Sequence, residues 1–245
     1  MVVITLPAFN EAETLPILLE AIRQSMEENR IDYRVVVVDD GSADGTADVA
    51  RELSEGMPVT LIEHAENRGL GEAIRTGLVA ATLGADPRDI IVTMDSDNTH
   101  TPGLIARMVR GIREGNDVVI ASRYRQGAQI RGVPGFRRLL SFGARVVFSL
   151  AFPTKNVRDF TSGFRAYRAE VLQQAFATYG DQFVSQSGFS CMVDILLKLR
   201  RLGAIMSEVP LILRYDQKFG ASKMVVLNTT LDTLRLVVLR RLGID

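Results

Sequence analysis

Cysteine is almost missing from this sequence: Cys191 stands alone among 245 residues, so no internal disulfide can staple the chain. Net charge is missing too. The 29 Lys and Arg balance 29 Asp and Glu, so bulk electrostatics call for no nucleic-acid partner and any charged site must be local. No apolar run reaches the roughly 18 to 20 residues that span a bilayer; "VVFSLAF" is short, and arginines interrupt the C-terminal segment. The opening "MVVITLP" lacks the basic region, apolar core and cleavage site of a secretory signal. These absences predict a cytoplasmic protein that does not cross a membrane. Linkers, internal repeats and low-complexity tracts are also missing, so 1–245 reads as a single domain.

What is present is an alternation. Short β-branched runs, "VVITL", "YRVVVVD", "VTLIE", "DIIVTMD" and "DVVIAS", are separated by amphipathic segments at 11–28, 44–55, 70–83 and 102–114. Near-continuous apolar strands joined by helices predict an α/β fold, a mostly parallel sheet covered by helices on both faces. Asn10, ahead of Glu11 and Glu13, reads as the cap of the first helix, and Ser42 or Asp44 as that of the second. After about residue 125 come a glycine- and arginine-rich stretch, the loop "NVRDFTSGFRAYR", a helix near 187–202, one short strand "SEVPLILRY" and an amphipathic helix near 222–241.

Ligands of open α/β sheets bind beyond the carboxyl ends of the strands. The loops there are "PAFNEAE", "DDGSADGT", "HAENRGLG", "DSDNTHTP" and "SRYRQG". None is the Gly-x-Gly-x-x-Gly turn of a dinucleotide site or a Walker loop. They offer acid instead: Glu11, Asp39, Asp40, Asp95 and Asp97 fall at strand ends, where carboxylates suit a hard divalent cation or the donors of a base and ribose. Asp95 and Asp97 have period-two spacing, so continued strand geometry would put both on one face and let them share Mg²⁺ or Mn²⁺. The competing reading is that Asp97 and Asn98 turn the chain and cap the next helix. A doubled aspartate, Asp39 and Asp40, exceeds what an Asp-Gly turn needs and implies that one faces ligand. His100, alone near a helix start, reads as structural. Arg123, Arg131, Arg137, Arg138 and Arg145 follow the fifth strand, where guanidinium groups could meet phosphate bidentately.

Taken in order, "PAFNEAE", "VVDDGSADGT", "NRGLGEAIRTG", "MDSDNTHTP", "SRY", "RRLLS", "DFTSGFRAYR" and "GASKM" make the chain resemble the family 2 glycosyltransferases of the GT-A fold, in particular dolichol-phosphate and polyprenyl-phosphate hexosyltransferases. The resemblance implies a Rossmann-like sheet with a C-terminal helical extension on the acceptor side, residues 1–125 serving the nucleotide sugar and 126–245 the acceptor. It implies that Pro7, Phe9, Glu11 and Asp39 or Asp40 hold the nucleotide, and that Asp95 and Asp97 carry Mg²⁺ or Mn²⁺. By the same resemblance Arg123, Arg137 and Ser141 meet the lipid phosphate or the donor, and Ser222 and Lys223 lie in a loop that closes over the diphosphate.

The implied reaction is inverting transfer of mannose or glucose from a nucleoside diphosphate sugar, GDP-mannose or UDP-glucose, to a polyprenyl phosphate. Asp97, Arg123 and Arg137 would be the catalytic groups. The protein would act as a peripheral one at the inner face of the membrane, where an apolar final helix ending in Arg240 and Arg241 suits an interface. Three positions depart from the pattern: Thr99 where glutamine is common, Gln217 where arginine is frequent, and Arg145 in place of asparagine. Two alternatives stay open. One is a transferase acting on a hydroxyl, which needs a base such as Asp159 or Asp194; the other is a catalytically weakened sugar-nucleotide-binding subunit.

Overall fold

A computed structural model describes residues 1–133, 135–188 and 190–217, without the side chains of 136–141, 144 and 217. The first half alternates as expected: β1 (Val2–Ala8), α1 (Leu15–Glu28), β2 (Tyr33–Asp39), α2 (Thr46–Ser54), β3 (Val59–Glu63), α3 (Leu70–Thr82), β4 (Ile90–Thr93), α4 (Leu104–Arg113) and β5 (Val118–Ser122). The second half holds β6 (Gln129–Arg131), α5 (Gly135–Ala151), β7 (Arg165–Arg168), α6 (Ala169–Tyr179), α7 (Ser190–Arg201), β8 (Met206–Pro210) and β9 (Ile212–Arg214). The main sheet has seven strands in the order β3-β2-β1-β4-β7-β5-β8, and β6 pairs with β9 in a separate ribbon.

Hydropathy explains the layers. The run Val35 to Val38 is buried at every position, because both faces of β2 are covered and no alternation is needed. On one face Ile4, Leu6, Val35, Val37, Ile90 and Val92 pack with Leu15, Leu18, Leu19 and Ile22 of α1 and with Ile105, Met108 and Ile112 of α4. On the other, Val3, Val36, Val38, Ile91 and Tyr167 meet Ile74 and Leu78 of α3, Leu172 of α6 and Ile195 of α7.

All strands of the main sheet run parallel except β7, which pairs antiparallel with both β4 and β5. The reversal decides which loops gather: the segment before β7 reaches the same edge as the segments after β1, β2, β4 and β5.

Four expectations need correction. "NVRDFTSGFRAYR" is not all loop, since it ends in β7, a central strand. "SEVPLILRY" is not one strand: β8 joins the main sheet and β9 the ribbon, with Leu211 between them. Helix α1 begins at Leu15 behind Thr14; Asn10 is no cap and instead sits at φ +53°. Helix α2 begins behind Gly45 without a side-chain cap bond, so neither Ser42 nor Asp44 is its N-cap, although Asp44 accepts the Thr46 N–H at 3.1 Å. The expected helix near 222–241 lies outside the described residues. Among those described, no helix is long and apolar enough to cross a membrane.

Beneath the sheet, the fully buried Asp194 accepts a bond from Lys198 at 2.7 Å, one helical turn on in α7. Lys198 also donates to Phe183 O at 3.4 Å, Ser185 Oγ at 3.3 Å and the carbonyl of Gln182, tying the 182–185 segment to α7. A lysine removed from such a pair leaves a buried carboxylate uncompensated. The Lys198→Met variant should therefore lose about 3–5 kcal/mol of unfolding free energy in urea titration.

Candidate active site

The site is assembled by loops that bond to one another before any ligand arrives. Asp40 N–H donates to Ala8 O at 2.8 Å and Met94 N–H to Thr5 O at 3.1 Å, extending the sheet's stitching past the ends of β2 and β4. Ser96 Oγ donates to Pro7 O at 2.6 Å. Thr14 Oγ donates to Ser96 O at 3.1 Å and to Glu11 Oε2 at 2.7 Å. Glu11 N–H in turn donates to Thr46 Oγ1 at 2.9 Å. Asn10 completes the exchange, its N–H on Ser42 Oγ at 2.8 Å and its Oδ1 accepting from Ala43 at 2.9 Å. The expected donor-side residues Pro7, Phe9, Glu11 and Asp39 thus share one rim.

The paired aspartates divide. Asp40 accepts from His64 Nδ1 at 2.7 Å, Arg68 N–H at 3.0 Å and Gly69 N–H at 2.8 Å. His64 is backed by Thr76 Oγ1 at 3.0 Å. This carboxylate therefore organises the loop between β3 and α3, a role for which sequence reading offered no signal at His64. Asp39 accepts from Ser42 Oγ and, at 3.4 Å, from Ser42 N–H. Asp39 thus bonds within its own loop, whereas Asp40 ties that loop to the one after β3.

Asp95 and Asp97 follow β4, but the strand ends at Thr93, so strand periodicity does not orient them. Individual contacts do. His100 stacks on Phe164 at 5.0 Å and its Nδ1 accepts the Asp95 N–H at 3.3 Å. Asp97 Oδ1 accepts from Thr99 N–H at 3.2 Å and Thr99 Oγ1 at 2.6 Å. The capping reading fails for the helix, since α4 starts behind Gly103 without a side-chain cap; its turn component is present in the Asp97–Thr99 bonds. Gly163, in the loop before β7, lies against Asp95: a Cβ there would stand 3.0 Å from Oδ1. A side chain at this position would intrude on the carboxylate, so the glycine leaves a cradle beside two hard oxygen donors, which fits a divalent cation completed by phosphate oxygens and water. Among the described residues no group of three acidic, histidine or cysteine side chains is placed to hold a metal ion.

Arg123 is the chief surprise. Its Nε and Nη2 contact the two oxygens of Asp159 at 2.9 and 2.7 Å, and its own N–H donates to the same carboxylate at 2.9 Å. Nη2 also meets Thr161 Oγ1. Burial works against charge on both groups, but their mutual attraction and hydrogen bonds prevail, holding Asp159 below the usual carboxylate range and Arg123 above the usual arginine one. Glu208 of β8 accepts from Arg158 N–H at 2.6 Å and Asp159 N–H at 2.7 Å, and burial pushes its own carboxyl up. The buried Arg165 finishes the loop by donating to Phe160 O at 2.8 Å and Met192 O at 2.7 Å. The Cys191 thiol is pushed up to about 12 by burial, so it offers no nucleophile.

Arg137 and Ser141 lie four residues apart on α5, a spacing that places them on one helical face; their side chains are outside the described set. Ser222, Lys223 and the side chain of Gln217 also lie outside it. Arg145 sits over the Tyr124 ring at 4.9 Å and the Phe142 ring at 5.6 Å.

A mostly parallel sheet with one reversed inner strand, and acidic loops at its carboxyl edge, defines an α/β protein of the GT-A class. A crystal structure of glucosyl-3-phosphoglycerate synthase from Mycobacterium tuberculosis, in complex with Mn²⁺, UDP and glucosyl-3-phosphoglycerate, matches 100% of this chain and 81% of its own with a TM-score of 0.68 and 22% identity, a likeness of fold. Residues 3–176 match glycosyl transferase family 2. The chain belongs to that family. It is 34% identical over 196 residues to a dolichol-phosphate mannosyltransferase of Pyrococcus furiosus, covering 80% of this chain and 52% of the relative, so it spans about half of that protein's length. It is 30% identical over 223 residues to a polyprenol monophosphomannose synthase of Mycolicibacterium smegmatis, covering 90% of this chain and 80% of that one.

The Arg123–Asp159 pair carries a sign for acid stability. A carboxylate whose folded value is depressed stabilises fully above its unfolded value, about 3.9, and loses that contribution as pH falls through the folded one. Urea titrations of wild type and Asp159→Asn should differ by a constant amount from neutral pH down to about 5, and the difference should shrink below about 4.

Proposed function

We propose that the protein transfers a hexose from a nucleoside diphosphate sugar to the phosphate of a polyprenyl carrier, with inversion at the anomeric carbon. One observation carries the choice of acceptor: Asp159 and Asp194, the two carboxylates considered as bases for a hydroxyl acceptor, are both fully buried and both committed to ion pairs, with Arg123 and Lys198. A hydroxyl needs such a base; a phosphate monoester is already anionic near neutral pH and does not. The names of the archaeal and mycobacterial relatives support the same acceptor and a mannosyl donor, GDP-mannose, over the UDP-glucose that fits equally on sequence.

In this reading Pro7, Phe9, Glu11 and Asp39 hold the nucleotide, and Asp40 supports that rim from behind. Asp95 and Asp97 hold Mg²⁺ or Mn²⁺, and the related fold bound with Mn²⁺ and UDP supports a divalent cation here. A bound cation would offset the charge that grows on the leaving diphosphate. A phosphate oxygen of the acceptor forms the new bond to the anomeric carbon as the bond to the diphosphate oxygen breaks. Arg123, oriented by Asp159, meets the acceptor phosphate, with Arg137 and Ser141 as further contacts. Lys223 would serve the donor and Ser222 the acceptor; both lie outside the described residues. Residues 1–125 serve the donor and 126–245 the acceptor.

Peripheral membrane contact suits a lipid acceptor. Phe142, Val146 and Leu150 are exposed by 51, 41 and 73% at four-residue spacing on α5, an apolar stripe on the acceptor side.

The test is direct: incubate the chain with Mn²⁺ or Mg²⁺, GDP- and UDP-sugars and a polyprenyl phosphate, and identify the lipid by mass. A glycosyl phospholipid labile to mild acid is expected with wild type, and Asp97→Ala should lower the rate by at least about 10². An acid-stable glycoside would overturn the choice of acceptor, and a wild-type rate for Asp97→Ala would overturn the cation assignment.

A further inference from the structure

We propose that Thr99 is a positioning residue of the cation site: it engages Asp97 Oδ1 with both of its donors and so fixes the orientation in which that carboxylate meets a divalent cation. The inference rests on the reading of Asp95 and Asp97 as cation ligands.

The local geometry is over-determined. Asn98 at φ +59° turns the chain back on itself, a conformation that asparagine tolerates better than most residues. The turn delivers the Thr99 N–H and hydroxyl to the same oxygen, at 3.2 and 2.6 Å. Thr99 cannot readily swing away. It is 3% exposed, its carbonyl accepts from Arg214 N–H at 2.9 Å, and the adjoining His100 bridges to Leu213. The ribbon strand β9 thus clamps the residue that clamps Asp97.

Chemistry gives the clamp its meaning. Mg²⁺ demands near-ideal octahedral geometry at about 2.0–2.1 Å and dehydrates reluctantly, so a carboxylate held in one orientation suits it better than one free to rotate. Where a longer side chain at 99 would bring an oxygen of its own, this chain leaves that coordination position to water or to a diphosphate oxygen. Ligand orientation by outer hydrogen bonds typically governs metal affinity by 10- to 100-fold, on the order of magnitude seen when such partners are removed.

The experiment titrates Mn²⁺ into the full 245-residue chain saturated with GDP, and separately with UDP, reading free Mn²⁺ by electron paramagnetic resonance. Thr99→Val keeps the volume and loses the hydroxyl; it should weaken Mn²⁺ binding by about 10- to 100-fold. Thr99→Ser keeps the hydroxyl and should bind close to wild type. Thr99→Ala provides the same deletion should thermal melting show the valine variant unfolded. In turnover, the metal concentration for half-maximal rate should rise while KM for the sugar nucleotide at saturating metal stays nearly unchanged, a split that general loosening of the fold would not produce. Unchanged Mn²⁺ affinity in Thr99→Val, or serine as weak as valine, overturns the proposal. Asp97→Asn separates the two layers: wild-type affinity there would sink the cation reading itself, whereas lost affinity beside an unaffected Thr99→Val would sink only the role of Thr99.

Discussion

The reversal of β7 between β4 and β5 is the constraint on which the rest of the site depends. A strand running the other way brings the residues that precede it, 159–164, to the edge where its parallel neighbours end. Without that reversal Asp159 would not face Arg123 and Gly163 would not lie under Asp95. The reversal is itself held by a fully buried arginine, Arg165, which satisfies backbone carbonyls from two different segments. A cation used in this way is costly to bury and is kept where its hydrogen bonds are fixed. Here they fix a loop.

The site's electrostatics follow from how its carboxylates are divided. Asp40, Asp159, Asp194 and Glu208 are turned inward onto backbone N–H groups, histidine, arginine and lysine. They are structural charges that stiffen loops. Asp95 differs, with a third of its side chain exposed. The inward group explains how so acidic a rim survives in a net-neutral protein: each buried charge is matched locally, and the field at the mouth of the site is set by few residues.

Much of this was legible in the linear chain. "YRVVVVD" and "VTLIE" mark β2 and β3 to the residue, because β-branched runs bounded by polar residues leave little choice of state. The acidic loops were legible because strand ends in such sheets are where ligands sit. "RAYR" was not legible as a central strand, since two arginines in four residues hide it from any hydropathy argument. Nor was the division between Asp39 and Asp40: adjacent aspartates are equivalent until His64, 24 positions away, selects one. Nor was the pairing of Arg123 with Asp159, 36 positions on, because a sequence shows the cation and not the partner that holds it.

By itself, then, the chain determined the alternation of elements, the sheet's burial on both faces and the placing of acids at strand ends, all of them consequences of local pattern and short-range chemistry. Tertiary structure alone decided strand direction at β7, which carboxylates are spent on cations within the fold, and which oxygen of Asp97 Thr99 occupies. These are long-range pairings, and a pairing energy exists only once two distant segments are brought within a hydrogen bond of each other.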